Sequence, residues 1–157
     1  MRIPYDEVVA VLSQVLTGVG FLEDRARGAA QLFADASRDG VASHGLNRFP
    51  GFLRMVQNGY VRPSAVPALV KAAGAVERWD GNSGPGMLNA AFCMTRAIEI
   101  AAEHTVGVVG LRNTNHWMRG ANYGWLAAEA GCIGVCWTNT LPNLIPWGGT
   151  EPTVGNN

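Results

Sequence analysis

Two short stretches hold side chains whose types and spacing could move a proton beside a bound anion. The first is Gly40-Val41-Ala42-Ser43-His44-Gly45-Leu46-Asn47-Arg48. An imidazole is the side chain that ordinarily titrates nearest neutral pH, and a guanidinium offers a planar fork to a carboxylate or carbonyl oxygen. The second is Arg112-Asn113-Thr114-Asn115-His116-Trp117-Met118-Arg119-Gly120. Two asparagines, a histidine, a tryptophan and two arginines are more recognition chemistry than a connector needs. Each stretch also has a plain structural reading. Ser43 could cap a helix with His44 an ordinary first-turn residue, and His116 could be held by its neighbours for shape alone. A serine nucleophile served by His44 is a poor reading, because adjacent residues do not aim at one another and no orienting acid is evident.

A third stretch is built differently. Thr138-Asn139-Thr140 is followed by Pro142, Pro146-Trp147-Gly148-Gly149, Pro152 and Gly155-Asn156-Asn157. Proline and glycine at that density fix backbone N–H and C=O groups in non-repeating directions, which can grip a flat ring or an amide or simply make a rigid turn. Gly81-Asn82-Ser83-Gly84-Pro85-Gly86 has the glycine order G-x-x-G-x-G, not the G-x-G-x-x-G of a dinucleotide loop, and does not end in Gly-Lys-Ser/Thr. It reads first as a turn feeding a helix, with a phosphate role as the lesser alternative. Cys93, Cys132 and Cys136 form no Cys-x-x-Cys pair and no metal set. All three read as buried thiols of a reducing, cytoplasmic setting.

The elements that must position these groups follow from periodicity. Val8, Leu12, Val15 and Val19 recur at helical spacing, closed by Gly18 and Gly20. A second helix from about Leu22 should bury Ala26, Ala29, Ala30, Phe33 and Ala36. A third carries Phe52, Leu53 and Val56 to a stop at Gly59, with Pro50 tolerable only in its first turn. His44 and Arg48 then lie at a helix N-terminus, where the dipole favours an anion. Leu69–Ala72 and Ala75–Trp79 read as strands. Gly86–His104 reads as a helix with the stripe Met87, Ala90, Met94, Ala97 and Ala101 and a solvated face of Arg96, Glu99 and Glu103; His104 there complements the dipole. Val106–Leu111 reads as a buried strand, so the His116 loop leaves a strand's C-terminal end, a favoured place for ligands in α/β folds. A helix ending near Gly131 and a strand over Cys132–Thr138 complete the pattern. The expected class is α/β (α+β), with a helical part over 1–62 and an α/β part over 63–157.

Composition narrows the function classes. The 157 residues are 48% hydrophobic and only 15% charged, which excludes a disordered chain. Twelve basic and twelve acidic residues give zero formal net charge with no basic run, so nucleic acid and membrane surfaces are not expected partners. Apolar stretches are broken well short of a membrane span, and the start lacks a signal peptide's apolar core.

Taken together, these stretches resemble one family. Gly40-Val41-x-Ser43-His44-Gly45-x-x-Arg48 is similar to the N-terminal signature of the malate/L-lactate dehydrogenase family that lacks a Rossmann fold. Arg112-Asn113-x-Asn115-His116 resembles its RNSNH segment. Thr138-Asn139, Pro146-x-Gly148-Gly149 and Gly155-x-Asn157 resemble its TN, P-x-GG and G-T-N-P segments. The resemblance implies a reductase of 2-keto acids using NAD(P)H, NADH favoured, as a cytoplasmic homodimer. It implies a helical N-terminal part followed by a truncated mixed-sheet cofactor domain. It further implies that His44 donates the proton to the carbonyl oxygen. Ser43, Arg48, His116 and Arg119 would lie at the substrate, and His116, Thr138, Asn139, Pro146, Gly148, Gly155 and Asn157 on the nicotinamide side.

Two departures stand out. Asn156 replaces the family's usual threonine, and family chains run on well past this length. The sequence therefore looks like the N-terminal portion of such an enzyme. The rival expectation is a catalytically inert domain that folds or dimerises without turnover.

Overall fold

The computed structural model describes residues 2–155. In order they form α1 (Tyr5–Gly18), α2 (Glu23–Arg38), two 3₁₀ turns (Ala42–His44 and Leu46–Arg48), α3 (Phe49–Gln57), β1 (Ala68–Ala73), β2 (Val76–Asp80), α4 (Gly86–His104), β3 (Val108–Arg112) and α5 (Ala121–Glu129). Three helices precede the sheet, α4 lies between its second and third strands and α5 follows it, a mixed α/β arrangement.

Asp6 and Glu7 open α1 where negative charge suits the dipole. Its buried stripe is Val9, Leu12 and Leu16, while Val15 is open to solvent. This corrects the expected register: both stripes have helical spacing and share Leu12, and the one buried in the core carries the larger leucine. In α2 the expected Ala26, Ala29, Ala30, Phe33 and Ala36 are all buried, their small side chains letting α1 approach closely. Phe33 meets Phe49 edge-on with ring centroids 5.2 Å apart and Phe52 at 5.5 Å, which seats α3 on α2. Pro50 falls in the first turn of α3. Met87 and Met118, from the later part of the chain, complete this core.

β1 and β2 pair antiparallel, β2 and β3 parallel, in the order β1-β2-β3. α4 makes the crossover and has the expected ends. Its fully buried residues are Gly86, Met87, Asn89, Cys93 and Ile100, so the stripe runs beside the expected one and Met94 is only half-buried. Arg96 is more than a solvated residue. Its Nη2 and Nε donate to Glu77 at 2.7 and 3.2 Å, and its Nη1 to Glu99. Glu77, 7% exposed on β2, also accepts Trp79 Nε1–H at 2.8 Å. The Arg96 guanidinium chiefly, with help from Trp79, holds the Glu77 carboxyl below the usual carboxylate range against the opposing cost of burial.

Three expectations need correction. β3 alternates between exposed and half-covered residues instead of being buried, because it is an edge strand with only β2 beside it. Cys132–Thr138 has no regular secondary structure and pairs with no strand among the described residues. Cys132, Cys136 and Thr138 are half-buried, and Ile133, Gly134, Val135 and Trp137 are exposed. Local propensity favours extension there, but a strand also needs a ladder partner. Cys93 is buried as expected, whereas Cys132 and Cys136 are half-buried; all three are free thiols. Beyond them, Leu144 and Val154 form an antiparallel bridge around the Pro146–Gly149 turn. No helix among the described residues is long and apolar enough to cross a membrane.

Candidate functional site

The His44 turn is shaped by what precedes it. α2 ends at Arg38, Asp39 caps it, and Gly40 turns the chain with φ +79°. Gly45 packs so tightly on Ser37 that any side chain there would strike its hydroxyl, while the Leu46 N–H donates to Ser37 Oγ at 2.8 Å. His44 and Arg48 each end one of the two 3₁₀ turns leading into α3. The Ser43 hydroxyl lies 2.8 Å from His44 Nδ1. With the hydroxyl donating, that nitrogen is the acceptor and the ring proton sits on Nε2.

The His116 loop is laced to the Gly81–Gly86 loop. Gly81 N–H donates to the Arg112 carbonyl and Ser83 N–H to that of Asn113, both at 2.8 Å. Asn115 Nδ2 donates to the Ser83 and Gly84 carbonyls at 3.0 and 3.1 Å. Asn89, wholly buried on α4, donates to the Gly81 carbonyl at 3.1 Å and to Thr114 Oγ1 at 3.0 Å. Asp80, at the end of β2, accepts the Asn82 N–H, Arg112 Nε and Asn113 Nδ2. Those bonds, that from Asn82 foremost, hold its carboxyl below the usual range. Asn82, Ser83, Asn113 and Met118 all have left-handed backbone, with φ of 51°, 57°, 50° and 63°. The Asn115 and His116 carbonyls cover Gly86 at the N-terminus of α4. The glycine loop is therefore a packing turn that seats the His116 loop against the start of α4.

The two loops meet in a ring pair. His44 and His116 are stacked with centroids 5.7 Å apart and planes 30° from parallel. The Met118 N–H donates to His116 Nδ1 at 2.9 Å, so the neutral ring presents its N–H at Nε2. Partial burial first, then the charges of Arg48 and His44, push the His116 pKa below the ordinary histidine value. His116 as a whole nonetheless stays exposed to solvent. The loop is braced behind by Tyr123, whose hydroxyl donates to the Trp117 carbonyl and whose ring stacks on that of Trp117.

Ser43, His44, Arg48 and His116 are thus brought together, and Arg119 lies close by in an ion pair with Asp39. Thr138 and Gly155 are half-buried, and Asn139, Pro146 and Gly148 are exposed, on the segment after α5. No hydrogen bond or ring contact among the described residues joins them to the histidine pair. Asn156 and Asn157 lie outside the described residues. Thr140 Oγ1 and Asn122 Nδ2 are buried without a partner, so this region holds unspent hydrogen-bonding groups of the kind an amide-bearing ring uses. Sequence reasoning did not assign Asp39 or Asn89 a role and read Asn115 only as part of the loop's recognition chemistry, since the partners of all three are distant in the chain. No cluster suited to a metal ion occurs among the described residues.

Known proteins resemble this chain along most or all of its length. The family model for malate/L-lactate dehydrogenase matches residues 3–157. The 2,3-diketo-L-gulonate reductases of Escherichia coli and Mannheimia succiniciproducens are 45% and 46% identical over 157 residues, 100% of this chain and 47% of theirs. Malate dehydrogenase from Pyrococcus horikoshii superposes with a TM-score of 0.81 at 29% identity, over 83% of this chain and 38% of that one. Sulfolactate dehydrogenase from Methanocaldococcus jannaschii gives 0.79 at 32% identity, over 82% and 38%. The chain spans about half the length of the curated relatives it matches. With a match running from residue 3 to residue 157 and the same fold in solved relatives, this chain belongs to the malate/L-lactate dehydrogenase family of oxidoreductases.

Proposed function

We propose that these residues form the N-terminal portion of an NAD(P)H-dependent reductase of 2-keto acids, with 2,3-diketo-L-gulonate the substrate to try first. The observation that carries this reading is the His44–His116 stack beside Arg48, with Ser43 on His44 Nδ1. The 45% identity to reductases named for that substrate supports the choice of keto acid.

Arg48 would hold the substrate's carboxylate or carbonyl oxygen by charge-assisted hydrogen bonds. His44, as imidazolium, would give its Nε2 proton to the oxygen as negative charge develops there. As imidazolium, His44 would donate Nδ1–H to the Ser43 hydroxyl and keep that bond after the Nε2 proton has left, so Ser43 would hold the ring in place through the transfer. His116 stays neutral, which spares His44 a second positive charge stacked on its face. Thr138, Asn139, Thr140, Gly155 and the Pro146–Gly148 turn would hold the nicotinamide ring and its carboxamide. When bound, the reduced nicotinamide supplies the hydride that reaches the keto carbon. NADH as the preferred form, a homodimer and a cytoplasmic location belong to the same proposal; three free thiols fit a reducing compartment.

The test is NADH and NADPH oxidation with 2,3-diketo-L-gulonate and simpler 2-keto acids. His44→Ala should lower turnover by about 10²–10⁴-fold, the usual worth of a general acid, and leave NADH binding by fluorescence titration intact. Unchanged turnover would remove His44 from the proton-donor role. A second reading, an inert domain without turnover, is favoured by the exposed Ile133, Val135 and Trp137, an apolar face suited to association. Absence of any NADH binding would support it.

A further inference from the structure

The His44 turn and the His116 loop lie far apart in the chain, and besides the ring pair one polar contact spans from one to the other. Arg119 Nη1 donates to Asp39 Oδ2. Asp39 caps α2 just ahead of the His44 turn, and Arg119 follows His116 just ahead of α5. Each partner is thus tied by a short piece of backbone to one histidine.

The Asp39 end is tied to the surface of the helical part. Arg38 Nε lies 3.5 Å from Asp39 Oδ1, and its Nη2 lies 3.1 Å from Asp35 Oδ1. Tyr5 of α1 donates to the same Asp35 oxygen at 2.9 Å, with the Arg38 guanidinium 5.2 Å over its ring. At the other end the Arg119 side chain is only 18% exposed, and Met118 beside it is sunk in the core at 5%. The Arg119 end is thus the more firmly seated of the two, and the Asp39 end is held by a chain of surface contacts back to Tyr5.

We propose that the Asp39–Arg119 ion pair is a positioning clasp that sets His44 against His116, so that Arg119 acts on the site through the protein and not by touching substrate. Ion pairs with exposed surroundings contribute little to stability. The leverage here is geometric, because a displacement of about 1 Å in a reacting group can cost about 10²-fold in rate. The kinetic arm of the test rests on the reductase reading; the spectroscopic arm does not.

The spectroscopic arm is the NMR titration of His116 in the protein and in Asp39→Asn and Arg119→Gln. His116 is faced by His44 and Arg48, with Asp39 and Arg119 beyond them. If the pair is a clasp, either substitution lets the ring leave Arg48 and His44, and the midpoint rises in both variants toward the ordinary value of about 6.5. If the pair acts only through its charges, losing Asp39 lowers the midpoint and losing Arg119 raises it. Opposite shifts, or none, overturn the proposal. The charge-swapped Asp39→Arg/Arg119→Asp variant guards against simple misfolding: restoration of the parent midpoint supports the clasp, and failure in a folded protein argues against it. In turnover, the clasp predicts kcat about tenfold lower in both single variants with KM for the keto acid nearly unchanged. A substrate-binding Arg119 would instead raise KM in Arg119→Gln and leave Asp39→Asn close to the parent.

Discussion

The carbonyl oxygen of Asn115 fills the space that a side chain on Gly86 would take, so the first residue of α4 and the His116 loop are in backbone contact. Gly86 does not have left-handed backbone, so its requirement is for room. Gly86→Ala should destabilise the protein by about 1–3 kcal/mol, the usual cost of forcing extra volume into packed structure. Urea unfolding measures this directly. A midpoint equal to the parent's would mean that the loop yields freely.

Glu77 and Arg96 predict a pH dependence. Because the folded Glu77 carboxyl is held below the usual range, its stabilisation is complete above the unfolded value of about 4.3 and is lost as pH falls through the lower folded value. Glu77→Gln should be less stable than the parent near neutrality, since it removes the partner of a guanidinium that bridges α4 to β2. The difference should shrink below about pH 4. Thermal melts of both proteins across that range supply the comparison, and a difference independent of pH would contradict the assignment.

The three thiols should differ sharply in reactivity. Burial, aided by the nearby Glu77 charge, pushes Cys93 up to about 11, and burial also raises Cys136. The thiolate is the reacting species. Mildly alkaline iodoacetamide should therefore label Cys132 and then Cys136 in the native protein and reach Cys93 only after unfolding. Peptide mass spectrometry over time gives the order. Early labelling of Cys93 would mean that α4 opens locally.

Much of this arrangement could be read from the chain. The alanine face of α2, the limits of α4 and the Pro50 position follow from periodicity and from what proline can tolerate. The His44–Arg48 turn and the His116 loop announced themselves by residue type. Illegible were the choices that depend on a distant partner. Val15 or Leu16 could equally have faced inward until α2 was placed, and Cys132–Thr138 has strand propensity yet is unpaired. Asp39 and Asn89 matter through groups remote in sequence and no local pattern marks them, while the motif that marks Asn115 does not reveal that it bonds the Ser83 and Gly84 carbonyls.

The parallel pairing of β2 with β3 has a consequence for the order in which the molecule assembles. β1 meets β2 across a tight turn at Gly74-Ala75, whereas β3 can reach β2 only after the 19 residues of α4 have been bridged. Hairpins close in about 1–10 μs, and pairings between distant segments form later because the chain entropy is lost before the contacts repay it. Leu69→Ala in β1 should then slow refolding, while Val109→Ala in β3 should mainly speed unfolding, as stopped-flow chevrons would reveal. The Arg112–Gly120 loop is the continuation of β3. His116 should therefore reach His44 late, so that the stacked histidine pair is expected to be among the last parts of the molecule to assemble.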